Sequence, residues 1–352
     1  MKRTRFSRRS KHSPATEELM RLAGSLAVSS CRLEDEFWQS RLTTAIDRAL
    51  ADGDDATLNA ALDHLYGAGG RAYDELADLV ESCCETRRLD TAGQDVVLIA
   101  APVLAWSRYV IPSGSIAPEL LANLRTQLQA HVLAKDVRLG LADILWSPDQ
   151  LPQSYGETAQ LAERLAKAAL HGRDLKQDLS SLPETVSFLS DTRYLIGAIA
   201  APRGAALFRW QEEDGSRAEA LKQWRSQGGD TLRPMLPACA VELLLPQPYH
   251  AAAREADRAS RPYSLRAAVA FLQTTLNIAA AELRAVVAPY YDRQLEEYRI
   301  GFALREGTDV VHGVVWPLLE AEDETADAPS QIETVLKEAG LQEIINLDHR
   351  FP

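Results

Sequence analysis

The first quarter of the chain is patterned for helices. Leu19, Leu22 and Leu26, then Leu42, Ile46 and Leu50, recur at spacings of three and four, which places apolar side chains on one helix face. Ser13-Pro14 supplies a start signal: a capping hydroxyl, then a proline at a first helical position that needs no N–H. Asp52-Gly53-Asp54-Asp55 interrupts the pattern, Ala56 to Leu65 resumes it, Gly67 to Gly70 interrupts it again, and Tyr73 to Cys84 is amphipathic once more. About four helices stacked as hairpins are expected over residues 13–90.

At Asp95 the texture changes. Val96 to Ala101 is a continuous apolar run, as a buried strand requires, and from there to residue 320 strands and helices are expected to alternate. Three apolar runs reach the same small-residue-plus-proline step, at Pro102, Pro202 and Pro289, and three others stop at Pro148, Pro246 and Pro317. Proline gives no N–H to a ladder, so a strand is expected to close at each. Helices are expected at 118–133, 157–170, 216–226, 251–260 and 264–276. The third of these opens with Ser216-Arg-Ala-Glu219, the spacing of a capping box. A hairpin is expected from Tyr298-to-Leu304 and Val310-to-Trp316 around Glu306-Gly307-Thr308, then a helix at 331–339 stopped by Gly340 and a strand at 341–347.

The fold class that follows is α+β: a helical N-terminal domain, then repeated β-β-α-β units forming mixed sheets with helices packed on them. The boundaries are a disordered basic arm at 1–12, the helical domain at 13–90, and units at 91–190, 191–280 and 281–352. The last unit contains an acidic linker at 320–329 and ends in a helix and strand.

The chain has 352 residues, of which 46% are hydrophobic, enough for a sizeable core. Its longest apolar run is well short of the roughly 18 residues of a membrane span, and the polar stretch behind the basic N-terminus is not that of a signal peptide. Cys31, Cys83, Cys84 and Cys239 form no C-x-x-C pair. Four unpatterned cysteines in a long chain point to a reducing, cytoplasmic setting and to small buried side chains.

Charge changes the picture most. The chain carries -12, yet its first twelve residues hold Lys2, Arg3, Arg5, Arg8, Arg9 and Lys11 with no acid, so the remainder carries -18. Such an acidic body repels nucleic acid over a broad surface, while six clustered cations bind phosphate backbone by releasing counterions. These six residues are the candidate nucleic-acid contacts, with RNA or the ribosome as the expected partner.

Chemistry is otherwise thin. The phosphate-loop, dinucleotide and nucleophile-elbow motifs are absent, so no catalytic residue and no cofactor are expected. No two of the seven histidines lie three or four apart, so no metal site is expected. Tyr249-His250 with Arg254 and Asp257 is the densest titratable cluster, and is read as a solvated helix face with local ion pairs. Arg108, Arg209 and Arg299 each follow a small-residue-plus-proline step beside an aromatic. If the units pack side by side, these arginines converge on a small anionic ligand.

The stretch Ala100 to Tyr109, Tyr298-Arg-Ile-Gly-Phe302 and Val311-His-Gly-Val-Val-Trp-Pro317 resemble a family of β-class proteobacteria known as domain of unknown function 2863. Arg32 to Trp38 and Phe208 to Glu212 extend the resemblance over most of the chain. It implies no activity and carries over no functional residue. Three expectations stand beside one another: a binding protein that contacts RNA through its arm, a homo-oligomer pairing through exposed strand edges, and an enzyme or sensor holding a small anion on the three arginines.

Overall fold

The computed structural model describes residues 12–89, 93–107, 110–183, 190–292, 294–318 and 327–347. The basic arm, up to Lys11, lies outside them, and so does Arg108.

Four helices open the described chain: α1 (Pro14–Ala27), α2 (Arg32–Asp52), α3 (Asp55–Ala68) and α4 (Arg71–Glu85). Local chemistry sets their ends. The Ser13 hydroxyl accepts the N–H of Thr16 at 3.1 Å with Pro14 next to it. Gly53, at φ +67°, stops α2, and Asp54 then caps α3 by accepting the N–H of Thr57 at 3.1 Å. Their inward stripes, including Leu22, Leu42, Ile46, Leu58, Leu76 and Val80, close one apolar core.

The larger sheet follows. Its chain order is β1 (Thr86–Leu89), β2 (Gln94–Trp106), β3 (Gly114–Ser115), α5 (Pro118–His131), β4 (Arg138–Trp146) and α6 (Tyr155–Leu170). Then come β5 (Ser190–Pro202), α7 (Arg217–Gln223), α8 (Gly229–Leu232), β6 (Ala240–Leu243) and β7 (Gln247–Pro248). The strands run β1-β2-β5-β4-β3, antiparallel throughout, and β7 and β6 share with β1 the second edge of β2. All thirteen residues of β2 pair with β5. From Val96 in β2 and from Tyr194 in β5 the strands read as continuous apolar runs because both sheet faces are covered. Val97, Ile99 and Val103 pack towards α5 and the α7–α8 segment, while Leu98, Ala100 and Leu104 pack towards α6 and α9 (Tyr249–Leu276).

Helix α9 is the spine of the molecule. Its first half buries Tyr249, Ala252 and Ala256 against the larger sheet. Its second half buries Leu265, Ala268, Val269 and Leu272 against a smaller one. That second sheet contains β8 (Leu283–Asp292), β9 (Gln294–Leu304), β10 (Val310–Pro317) and β11 (Glu343–Asn346), with α10 (Ala328–Glu338) before β11. Its order is β10-β9-β8-β11, with β11 parallel to β8. Its core face holds Phe302, Ile300 and Trp316 against α9 and α10.

Four expectations change. The helices placed at 251–260 and 264–276 are one, with Pro262 inside it. A mid-helix proline costs about 3 kcal/mol. Burying Leu265, Val269 and Leu272 returns about 1.5–3 kcal/mol each, so packing on two sheets outweighs the break. Proline does not close every strand. Pro102 sits inside β2 and Pro289 inside β8. The Pro102 carbonyl accepts the N–H of Leu244 at 2.9 Å, so its missing N–H faces the gap between β7 and β6. Pro289 lies beyond the last residue that β11 pairs, Val287. Third, the acidic linker ends inside a helix: Ala328 and Pro329 open α10. Fourth, the unit boundary near 190 does not divide the sheets. β5 inserts between β2 and β4, so strands of the first two expected units interleave in one sheet.

Candidate functional site

The densest titratable cluster joins the helical layer to the larger sheet. Two carboxylates of the helical layer cap helices of the next. Asp55, first residue of α3, accepts the N–H of Gly156 at 2.8 Å and the hydroxyl of Ser154 at 2.9 Å, at the start of α6. Glu85, last residue of α4, accepts the N–H of His250 at 3.1 Å, at the start of α9. The residue before α9 is Pro248, which has no capping side chain, so Glu85 supplies from another helix what the local sequence lacks. A Cβ at Gly156 would stand 2.8 Å from Asp55 Oδ2, so a larger residue there would push the capping carboxylate aside.

Around these caps lie further contacts. Arg87 donates to the carbonyls of Cys83 and Ala159, each at 2.8 Å. Arg254 Nη1 is 2.6 Å from both oxygens of Glu81. Cys84 Sγ and His250 Nε2 are 3.1 Å apart, with the rings of Tyr249 and Tyr155 beside the imidazole. On the face expected to be solvated, Arg254 and Asp257 are exposed and Arg254 is ion-paired as expected, while His250 packs against α4.

A Cys–His contact invites a nucleophilic reading, and the electrostatics oppose it. Burial, then the Glu85 and Glu81 carboxylates, push the Cys84 thiol well above the usual thiol range. Burial lowers His250 and raises Glu85 to about 7. A reactive cysteine needs cationic neighbours and access to solvent, and Cys84 is fully buried beside acids. The pair is a neutral thiol–imidazole contact within a structural latch. Cys83 is buried too, but Cys31 is exposed and Cys239 partly so, so only two of the four cysteines are the small core side chains expected; all four are unpaired.

The candidate arginines do not form one described site. Arg209 sits in a 3-10 turn (Arg209–Gln211), not on a strand, because the chain turns away after Pro202 through Gly204 at φ +77°. It donates to the Gln129 carbonyl at 3.3 Å and lines a cleft of about 490 Å³. Glu212, Glu213, Asp214 and Glu219 share that cleft and outnumber its cations. Arg299 belongs to the smaller sheet, 3.6 Å above the Tyr290 ring and 2.8 Å from Glu297. Arg209 lies in a turn and Arg299 on a strand of the smaller sheet, and Arg108, with Lys2, Arg3, Arg5, Arg8, Arg9 and Lys11, is outside the described residues.

One apolar groove was not legible in the sequence. It has a volume of about 470 Å³ and lies where the end of β2 and strand β6 meet the second half of α9. Trp106 and Phe271 stand 5.5 Å apart, inclined by 54°. Tyr263 donates to the Ala240 carbonyl at 2.8 Å. Glu242 is held by Arg225 at 2.6 Å and, more loosely, by Arg266 at 3.7 Å. Ala238 lines the groove at φ +59°, a left-handed conformation that costs a residue with a Cβ about 1–2 kcal/mol. The lining spans residues 106 to 274, so no local window contains it; a tryptophan ending an apolar run was the one cue.

Comparison with known families gives a match over almost the whole chain. The chain belongs to the family described as Protein of unknown function (DUF2863). That family matches residues 4–352, so the arm from Thr4 onward, the helical layer and both sheets fall within it. No curated protein and no solved structure matches the chain. Among the described residues of this DUF2863 member, no helix is long and apolar enough to cross a membrane, and no group of three or more His, Cys, Asp or Glu is placed to hold a metal ion.

Proposed function

We propose that this DUF2863 member is a cytoplasmic binding protein that contacts RNA, free or on the ribosome, through its basic arm, with the folded body as an acidic scaffold. The observation that carries this reading is the charge segregation: six cations within residues 1–12 of a chain whose net charge is -12. Body cations support it by their pairing, as with Arg254 on Glu81, Arg225 on Glu242 and Arg203 on Asp95. Cations neutralised in this way add little to attraction for a polyanion. The binding reading is also favoured over a catalytic one by the neutral, buried state of the Cys84–His250 pair. Removing residues 1–12 should abolish co-sedimentation with RNA or ribosomes while thermal stability stays unchanged; undiminished binding by the shortened chain would refute the reading.

A second reading, self-association through a strand edge, rests on β10. This strand ends its sheet with Val310, Val311 and Val315 exposed. Its titratable group, His312, is driven towards neutrality by burial, so the edge is apolar and uncharged. Light scattering at high concentration checks it: Val315→Lys should lower an observed dimer fraction, and a strictly monomeric wild type would end the idea.

A further inference from the structure

We infer that the groove between β6 and α9 is a binding site for a small carboxylate with a flat apolar body, such as an aromatic or bicyclic acid. Its volume, about 470 Å³, falls within the range of small-molecule sites, and its make-up is theirs: apolar walls and a few polar groups at one end. One wall is the contacting pair of Trp106 and Phe271, inclined to each other, and the methyl groups of Ala240, Ala267 and Ala270 line the rest. The two rings touch and so make one continuous wall, and the small side chains leave room beside it for a planar ring to lie against.

The charged end decides the sign of the ligand. Glu242 carries one negative charge and is engaged by two guanidinium groups, Arg225 on one oxygen and Arg266 on the other. One positive charge is therefore in excess. A cationic ligand would meet a carboxylate already neutralised. An anion meets Arg266, half-exposed and held loosely by Glu242 at 3.7 Å, with guanidinium N–H groups directed to solvent-accessible space.

A second observation points to the same place. Ala238, at φ +59°, is one of two non-glycine residues with positive φ among the described residues; the other, Asn277, ends α9. Asparagine at a helix end is an ordinary use of that conformation. An alanine held there in a loop lining a groove is not, and strain of this kind gathers at binding sites. The carbonyl of Ala238 is fixed by the buried hydroxyl of Ser107 at 3.3 Å, so the strained residue is held from the β2 side.

The experiment titrates the full chain by calorimetry with three probes of one shape: 2-naphthoate, 2-naphthylmethanol and 2-naphthylmethylammonium. Naphthoate should bind tightest, about tenfold more tightly than the alcohol, and the ammonium weakest. Arg266→Gln should bring naphthoate down to the level of the alcohol and leave the alcohol unchanged. Ala270→Leu, at an exposed helical position that tolerates leucine, should block all three while the melting temperature holds. The inference is overturned if the ammonium binds as well as naphthoate, if Ala270→Leu binds naphthoate as wild type does, or if the folded wild type binds none of the three. Removing residues 1–12 should leave naphthoate binding intact, so this site and the RNA reading fail or stand separately.

Discussion

The two sheets share one helix and solve burial differently. The larger sheet is covered on both faces, so β2 and β5 are apolar at almost every position from Val96 to Ala105 and from Tyr194 to Ala201. Among the described residues the smaller sheet is covered on one face only. Along β9 and β10 burial alternates, with Ile300, Phe302 and Trp316 inside and Arg299 and Val315 outside. The same element type thus carries two sequence signatures, and what distinguishes them is how many layers lie against it. The polar latch of Asp55 and Glu85 adds a third layer to the larger sheet; among the described residues the smaller sheet has no counterpart.

Substitutions at Leu98 and Val315 should separate the two sheets most widely. Leu98→Ala, in the doubly covered sheet, should lose about 2–5 kcal/mol of unfolding free energy in urea, whereas Val315→Ala, on the open face, should stay within about 0.5 kcal/mol. Similar losses at the two positions would mean that the open face is covered. Next in size is the latch. Glu85 is raised in the fold from about 4.5 to about 7, so its contribution is fully present below the unfolded value and is lost as pH rises through 7. Glu85→Gln keeps an acceptor for the His250 N–H without the buried charge. It should be more stable than wild type at pH 8, on the order of 1–3 kcal/mol, with the gain vanishing near pH 4. His250, lowered by burial, works in the opposite sense: its contribution is present above 6.5 and is lost as pH falls. Denaturation across pH 4–8 should therefore show a rising slope in the Glu85→Gln variant that the wild type partly masks. A smaller loss than at Leu98 is expected at Asp55→Ala, which removes the acceptor of the Gly156 N–H and the Ser154 hydroxyl while Ser154 still caps α6. It should cost about 0.5–2 kcal/mol, and a cost nearer that of Leu98→Ala would show Asp55 to be part of the core rather than a cap.

How far the sequence reached depends on the range of the interaction concerned. Ser13-Pro14, Gly53 and Gly340 act within a few residues, so helix ends were legible where the cap is local. The one-helix nature of α9 was not, because what overrides Pro262 is packing on sheets whose strands lie elsewhere in the chain. Pro102 reads as a stop only until the gap between β6 and β7 is known to receive its missing N–H. Site chemistry was the least visible. Cys84 and His250 meet across 166 residues, and the groove joins Trp106 to Phe271. No spacing rule links such positions. The arginine series was a local regularity, while convergence is a property of sheet topology: Arg209 sits in a turn and Arg299 on β9.

The central claim is that a cationic arm on an anionic body engages polyanions, and its signature is salt dependence. Binding of the full chain to a single-stranded RNA, measured by fluorescence anisotropy between 50 and 300 mM KCl, should weaken with a log–log slope of about -4, as expected if all six cations meet phosphates. The chain lacking residues 1–12 should show no measurable binding across the series. A slope near zero, or equal binding by the shortened chain, would contradict the account.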